Sequence, residues 1–282
     1  MLVTGDYILQ EAHKGNYAVG AFNTSNLEIT QAIIEAAEEM NSPVIIQTSQ
    51  GAIKYAGIEN LSAIVMTMAE NASVPVALHL DHGTDFDVIM DCLRCGWSSV
   101  MIDASKYEFD KNVELTKEIT KIAHPMGVSV EAEIGKIGGQ EEHINVSDRD
   151  ATMTDPNEAL EFAKLTKCDS LAIGVGTAHG VYKGKPEIDF ERIKIIKNML
   201  DMPLVLHGCS GVPEEDVKMA ASLGINKVNI DTDLRQAFDR AVRKFVSEND
   251  SYDPRKILRP GTDAMKEVVI SKIKMCGSEN KA

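Results

Sequence analysis

The chain lacks the features that mark several protein classes. No apolar stretch reaches the ~18 residues of a membrane span. No Pro-, Ser- or Gly-rich tract and no block of like charge separates one part from another, so nothing reads as a linker. The opening MLVTGDYILQEAHKGNY lacks a basic region followed by an apolar run, so no secretory signal is expected. Cysteine is scarce and odd in number. Five residues cannot form a complete disulfide framework, and the Cys92–Cys95 pair has no second pair with which to build a zinc site. Positive charge is outweighed: 29 basic residues face 43 acidic ones, a formal charge of −14. Such a field disfavours non-specific binding to nucleic acid or anionic membrane, and any anionic ligand must be held by a local site. The expectation is a reduced, cytoplasmic protein.

What is present is ordinary in amount and regular in arrangement. A hydrophobic content of 44% over 282 residues is enough for a large core. Short β-branched runs alternate with longer amphipathic segments. The predicted strands are 18–22, 44–48, 76–80, 99–103, 128–133, 170–175, 204–207 and 227–230. Between them Leu27–Met40, Glu59–Asn71 and Phe109–Ala123 carry apolar residues at helical spacing. Pro156 and Pro213 are placed to open helices as first-turn residues. Pro43, Pro75 and Pro203 each end a helix just before a strand. Eight alternating units predict an α/β fold, a (β/α)8 TIM barrel, as one domain over residues 1–282. A doubly wound sheet would need a glycine-rich turn after its first strand. Here that turn is AFNTSN, without glycine.

In a barrel, active sites form where the C-terminal strand ends converge. Polar residues collect at those ends: Asn23, Ser49, Asp81, His82, Asp103, Glu133, His179, His207, Asn229, Asp231 and Thr232. His82, His179 and His207 follow different strands but share one rim. Three imidazoles with a fourth position open suit a catalytic zinc, and equally cobalt or iron. His79 reads as a satisfied interior residue. Asp81 and His82 are neighbours, and strand alternation predicts that one belongs to the loop. Asp81 beside a metal is a candidate general acid/base, or a partner that orients a histidine. Asp103 and Glu133 read either as further metal ligands or as interior carboxylates paired with lysine. The turns His179–Gly184 and His207–Gly211 supply glycines for an anion nest. The longest interval, 135–156, contains Gly138-Gly139 and polar residues, and reads as a mobile binding loop.

The segments LDHG (80–83), GVSVEAEIGKIGGQEE (127–142), HGVYKGKP (179–186), LHGCSGVP (206–213) and KVNIDTDLR (227–235) resemble the class II, metal-dependent fructose-bisphosphate and tagatose-bisphosphate aldolases. GNYAVGAFNTSNLE (15–28) and YDPRKILRPG (252–261) extend the resemblance over nearly the whole chain. It implies reversible cleavage of a ketose 1,6-bisphosphate, with Zn2+ on His82, His179 and His207. It implies Asp81 as the group exchanging a proton with the C4 hydroxyl, and Glu141 as the base toward dihydroxyacetone phosphate. Glu142 follows Glu141 where many members have aspartate, and could share that role. Asp103 and Glu133 match ligands of a second divalent metal or an alternative zinc position. Gly180, Lys183, Gly208, Ser210, Asp231 and Thr232 match the C1-phosphate site, with a monovalent cation (Na+ or K+) near the Gly180 and Gly208 turns. Asn229 matches a residue that holds the enediolate, Asn23 and Ser49 match substrate contacts, and Arg255 matches an arginine for the C6 phosphate. In some members that arginine comes from a neighbouring subunit, so a homodimer or homotetramer is implied. Cys209 stands where glycine or alanine is usual, which puts a β-carbon in the phosphate turn and a thiol near the metal. Asp231, where tagatose-type members tend to have alanine, favours the fructose epimer.

Other readings make different demands. A Schiff-base aldolase needs a lysine on a strand reaching the substrate, and the sixth strand, SLAIGVG, has none, while Lys106 and Lys227 are poorly placed. A non-catalytic companion subunit would be expected to lose ligands that are all present here. A zinc hydrolase accounts less well for two phosphate turns.

Overall fold

Each of the eight predicted runs forms a strand, and the eight close into a ring. A computed structural model describes residues 1–141, 144–146, 153–180, 182, 184 and 186–282. The strands are β1 (Val19–Asn23), β2 (Val44–Ser49), β3 (Val76–Gly83), β4 (Ser99–Ile102), β5 (Ser129–Ile134), β6 (Gly138–Glu141), β7 (Ile144–Val146), β8 (Ser170–Ile173), β9 (Ala178–His179), β10 (Leu204–Leu206) and β11 (Ile225–Ile230). The helices are α1 (Gly5–Gly15), α2 (Leu27–Glu39), α3 (Gln50–Ala56), α4 (Ile58–Asn71), α5 (Phe86–Arg94), α6 (Phe109–Ala123), α7 (Pro156–Thr166), α8 (Phe190–Met199), α9 (Glu214–Ser222), α10 (Thr232–Glu248) and α11 (Pro254–Cys276). β1, β2, β3, β4, β5, β8, β10 and β11 pair in parallel around a closed barrel, and β1 completes the ring by pairing both β11 and β2. This is the (β/α)8 architecture.

The helices start where side chains can satisfy their orphan N–H groups. Asn26, Asp85, Asp155, Asp189 and Asp253 each accept a backbone N–H of the helix that follows. Pro156 is the first helical residue as expected, but Pro213 sits one position earlier, as the cap of α9. Its N–H is absent and its φ of −54° suits either place.

Apolar faces of strands and helices meet in one continuous layer around the barrel, with Phe22, Trp97 and Phe162 among its largest fully buried members. Each such side chain contributes about 1.5–3 kcal/mol on burial. A second, smaller cluster closes the N-terminal end. Ile8, Leu9 and Ala12 of α1 pack against Val19, Ala21, Ile45 and Ala77. Gly5 lets the helix start seat deeply, since a β-carbon there would meet Ser99 Oγ at 2.7 Å. With that end plugged, the barrel is open only where the C-terminal strand ends gather.

One strand departs from regular pleating. β3 continues through Gly83, its register with β4 shifts between Leu80 and Gly83, and His82 has φ +47°. A left-handed non-glycine residue costs on the order of 1 kcal/mol or more and is concentrated at functional sites. The bulge breaks the alternation, so Asp81 and His82 both reach the rim from within the strand. The expectation that one belongs to the loop is corrected accordingly. Gly83 is required there, because a β-carbon would lie 2.3 Å from Met101 O. The long interval, expected as a loop, carries β6 and β7; β6 pairs with β7 on one side and with β9 on the other, making a small three-stranded sheet.

Candidate active site

The three histidines meet at the open end. Ring centroids lie 4.9 Å apart for His82–His179, 4.6 Å for His82–His207 and 5.9 Å for His179–His207. One nitrogen from each falls within 4.8 Å of the others. Carboxylates fix two of the rings. Asp103 Oδ2 lies 2.8 Å from His82 Nδ1, and Glu131 Oε1 lies 2.9 Å from His207 Nε2. A carboxylate accepts, so the ring proton belongs on those nitrogens and the lone pairs on His82 Nε2 and His207 Nδ1. Those two atoms face each other at 2.9 Å. With both rings neutral these lone pairs repel, so a cation must come between or beside them: a proton on His82, or a metal ion. The donor set therefore fits a divalent metal with imidazole preference, zinc foremost.

The titration of the cluster without metal follows the same logic. Burial alone would lower the pKa of His82, but the charges of Asp81, Asp103 and Glu133 and the Asp103 hydrogen bond hold it well above the ordinary value. Burial, with the charges of His82 and Lys227, pushes His207 well below. Asp103 is held far below the usual carboxylate range: burial opposes this, but its bonds to His82 and Ser105 prevail. Glu133 is pushed well above by burial and by Asp103. His82, Asp103 and Glu133 form a second group of converging ligand atoms. Glu133 Oε2 is buried there without a hydrogen-bond partner among the described residues.

Asp81 stands beside this centre, 2% exposed. Its Oδ2 accepts from Asn23 Nδ2 at 3.0 Å and Gln47 Nε2 at 3.1 Å, and its Oδ1 from Asn229 Nδ2 at 3.1 Å. Three amides fix its orientation without giving it a proton. The carbonyl oxygens of Gln47 and Asn229 are buried with no donor among the described residues. They are acceptors facing a cleft, and a ligand rich in hydroxyls would satisfy them.

The remaining predicted residues divide. Asn23, Gly180, Gly208, Ser210, Asn229, Asp231 and Thr232 line that cleft with Asp81 and His179. Ser49 lines an adjoining cavity with Asn23 and Asp231. Ser210 Oγ accepts the backbone N–H groups of Asp231 and Asp233 at 3.2 and 3.3 Å, which ties the β10 turn to the N-terminus of α10. A helix N-terminus and glycine turns brought to one corner are an arrangement that suits an anion. Gly208 has φ +66°, and a β-carbon on it would meet Ala178 O at 2.5 Å. Cys209 does not intrude. It is fully buried, its Sγ turns back to Leu206 O at 3.4 Å, and burial raises its pKa well above the ordinary thiol. The thiol expected in the phosphate turn is thus a protonated, packed one, poorly placed for oxidation. Arg255 lies apart from both cavities, exposed at the start of α11 and paired with Asp253. Glu142, His143 and Lys183 lie outside the described residues, as does the side chain of Glu141, whose backbone ends β6 two residues beyond Gly139, the partner of His179.

Three residues at the site escaped the sequence reading. Gln47 sits two residues before Ser49, and Glu131 two before Glu133, so strand alternation places each on an inward face already known to be polar. Arg235 follows Asp231 by one helical turn, binds it at 2.7 Å and lines the adjoining cavity. Lys227, the lysine considered for a Schiff base, is 1% exposed and paired with Glu131 beneath the histidines. It is not accessible to a substrate carbonyl, and Glu131 already occupies its ammonium group.

Comparison with known proteins agrees with this geometry. Residues 3–281 match the family model "Fructose-bisphosphate aldolase class-II". A fructose-bisphosphate aldolase of Thermus caldophilus is 48% identical and one of Helicobacter pylori 47% identical, each alignment covering 100% of both chains. The crystal structure of the YdjI aldolase of Escherichia coli K12 superposes with a TM-score of 0.90 at 40% identity, covering 100% of both chains. The chain belongs to the class II fructose-bisphosphate aldolase family.

Proposed function

We propose that this enzyme reversibly cleaves D-fructose 1,6-bisphosphate to dihydroxyacetone phosphate and glyceraldehyde 3-phosphate, as a cytoplasmic lyase of glycolysis and gluconeogenesis. The observation that carries the reading is the convergence of three imidazole nitrogens at the edge of a cleft that also holds a carboxylate fixed by three amides. His82, His179 and His207 would hold a zinc ion, which supplies Lewis-acid stabilisation of negative charge developing on substrate oxygens, worth several kcal/mol. Asp81 takes the C4 hydroxyl proton in cleavage and returns it in condensation. Asn23, Gln47 and Asn229 keep its carboxylate aimed. Glu141, carried by β6 beside His179, exchanges the proton on dihydroxyacetone phosphate. The open acceptor of Asn229 receives a substrate hydroxyl.

The C1 phosphate sits at the anion-binding corner of Gly180, Gly208, Ser210, Asp231 and Thr232, with Lys183 and a monovalent cation. This local field opposes the chain's net negative charge where the substrate needs it. Asp103 and Glu133 offer a second divalent-metal position. Ser49 and Arg235 border the cavity for the distal end of the substrate, and Arg255 reaches it from a neighbouring copy in a homodimer or homotetramer. Asp231, braced by Arg235, favours fructose over tagatose, since a misplaced polar contact at C4 is costly.

The test is a cleavage assay on fructose and tagatose 1,6-bisphosphates before chelation, after it, and with zinc restored. Loss and recovery of fructose-bisphosphate cleavage supports the reading. Activity that survives complete metal removal contradicts the metal mechanism, and a higher kcat/KM on the tagatose ester contradicts the epimer assignment.

A further inference from the structure

Beneath the three histidines the barrel interior holds an ion pair that the reaction above does not use. Lys227 faces inward from β11 and Glu131 from β5. They are 1% and 2% exposed, and Lys227 Nζ lies 2.8 Å from Glu131 Oε2. Stability alone is a poor reason for such a pair. Removing two charges from water costs about as much as their attraction returns, and apolar replacements of similar volume are often neutral or stabilising. Bulky apolar side chains are also what usually fills a barrel of this kind.

The pair has a directional consequence instead. Because Lys227 occupies Glu131 Oε2, the other oxygen is left to accept from His207 Nε2 at 2.9 Å. That bond holds the ring proton away from Nδ1, the atom that faces His82 Nε2. His207 is completely buried, so no water competes for the position. His79 steadies the lysine from the far side: its Nε2 lies 3.4 Å from Lys227 Nζ, and its Nδ1 bonds Ser99 Oγ at 2.7 Å. The chain of contacts thus runs from the barrel floor to the histidine cluster through buried groups only.

We propose that Glu131, anchored by Lys227, is a positioning residue that fixes His207 as an Nδ1 metal ligand. The metal affinity of the cluster then depends on a charge pair that touches neither metal nor substrate. This rests on the reading of the three histidines as the metal site.

The experiment measures zinc affinity by competition with a chromophoric chelator, the visible spectrum of the cobalt-loaded protein, and the melting temperature of the metal-free protein. It compares wild type, Glu131→Gln and the double variant Glu131→Leu/Lys227→Met. Glutamine keeps the shape, but its amide must point either at the Lys227 ammonium or at His207 Nε2. The second choice would move the ring proton to Nδ1. Both variants should bind zinc about 10–100-fold more weakly, with a shifted cobalt spectrum. The double variant should melt, metal-free, no lower than wild type. Unchanged zinc affinity and cobalt spectrum with a lowered melting temperature would mark the pair as structural only and overturn the proposal. Should the double variant fail to fold, Glu131→Gln decides alone by the same affinity criterion. A wild-type protein that binds no zinc would overturn the metal reading itself, an outcome distinct from a failure of the pair.

Discussion

The two ends of the barrel use the same residue types to opposite ends. At the N-terminal face, His13, Lys197, Asp201 and Asn226 form a cluster in which donors meet acceptors. Lys197 Nζ reaches His13 Nδ1 at 2.6 Å, Met202 O at 3.0 Å and Asn226 Oδ1 at 3.0 Å. Asp201 takes the other face of His13, and Asn226 Nδ2 reaches Tyr17 O. At the C-terminal rim, histidines, carboxylates and amides are just as close, yet buried side-chain oxygens of Gln47, Glu133 and Asn229 have no hydrogen-bond partner among the described residues, and His82 Nε2 and His207 Nδ1 meet at a distance that needs a shared proton or a metal ion. Unmet buried polar atoms cost about 1–3 kcal/mol each. A fold that tolerates several at one end and satisfies the cluster at the other has a use for them. The rim is organised around something it binds, whereas the floor is organised around itself.

That contrast can be broken from either side. The largest effect should come from His82→Ala, which removes one ligand and the partner of Asp103. Bound zinc should fall well below one equivalent, and kcat/KM should drop about 10³-fold or more, the equivalent of ~4 kcal/mol of metal stabilisation. Metal analysis with steady-state kinetics reads both. Next, Gln47→Leu removes an unmet acceptor together with one of the donors on Asp81. Turnover should fall about tenfold, while the melting temperature holds or rises, the trade-off expected when a functional polar group is replaced by a packed apolar one. A falling melting temperature with normal turnover would contradict the contrast. The smallest effect belongs to the floor. Lys197→Met should leave kcat/KM unchanged and lower stability by about 1 kcal/mol, the worth of a typical hydrogen bond.

Lys197 also makes the floor sensitive to pH. Burial pulls its pKa down to about 8, whereas an unfolded lysine titrates near 10.4. Between those values the unfolded chain binds more protons, so stability from this group rises with pH. Its contribution is complete above the unfolded value and is lost as pH falls through about 8. The melting temperature of wild type relative to Lys197→Met should therefore shift in favour of wild type between pH 7.5 and pH 10. No change, or a shift the other way, would show that the buried amine keeps its proton.

Much of this was legible in the sequence because parallel strands buried on both faces read as short apolar runs between breakers. Val44, Ser99, Ser170 and Leu204 open their strands where expected. β11 begins two residues early, at Ile225, since Asn226 is drawn inward to Tyr17 O. The rim histidines and Asp81 were visible as residues ending strands. The bulge was not, because nothing local to Asp81–Gly83 announces a left-handed histidine. Gln47 and Glu131 were hidden for another reason. Each lies inside a strand rather than at its end, and a search of strand ends passes over the layer beneath. Counting back two residues from Ser49 and Glu133 would have found both.

The most direct test of the account is the division of labour at the rim. Asp81→Ala should retain one equivalent of zinc per chain and lose turnover of fructose 1,6-bisphosphate by about 10²–10⁴-fold, the usual worth of a positioned acid/base. An Asp81→Ala protein that cleaves at nearly the wild-type rate, or that no longer holds zinc, would contradict the separation of metal holding from proton transfer on which the account stands.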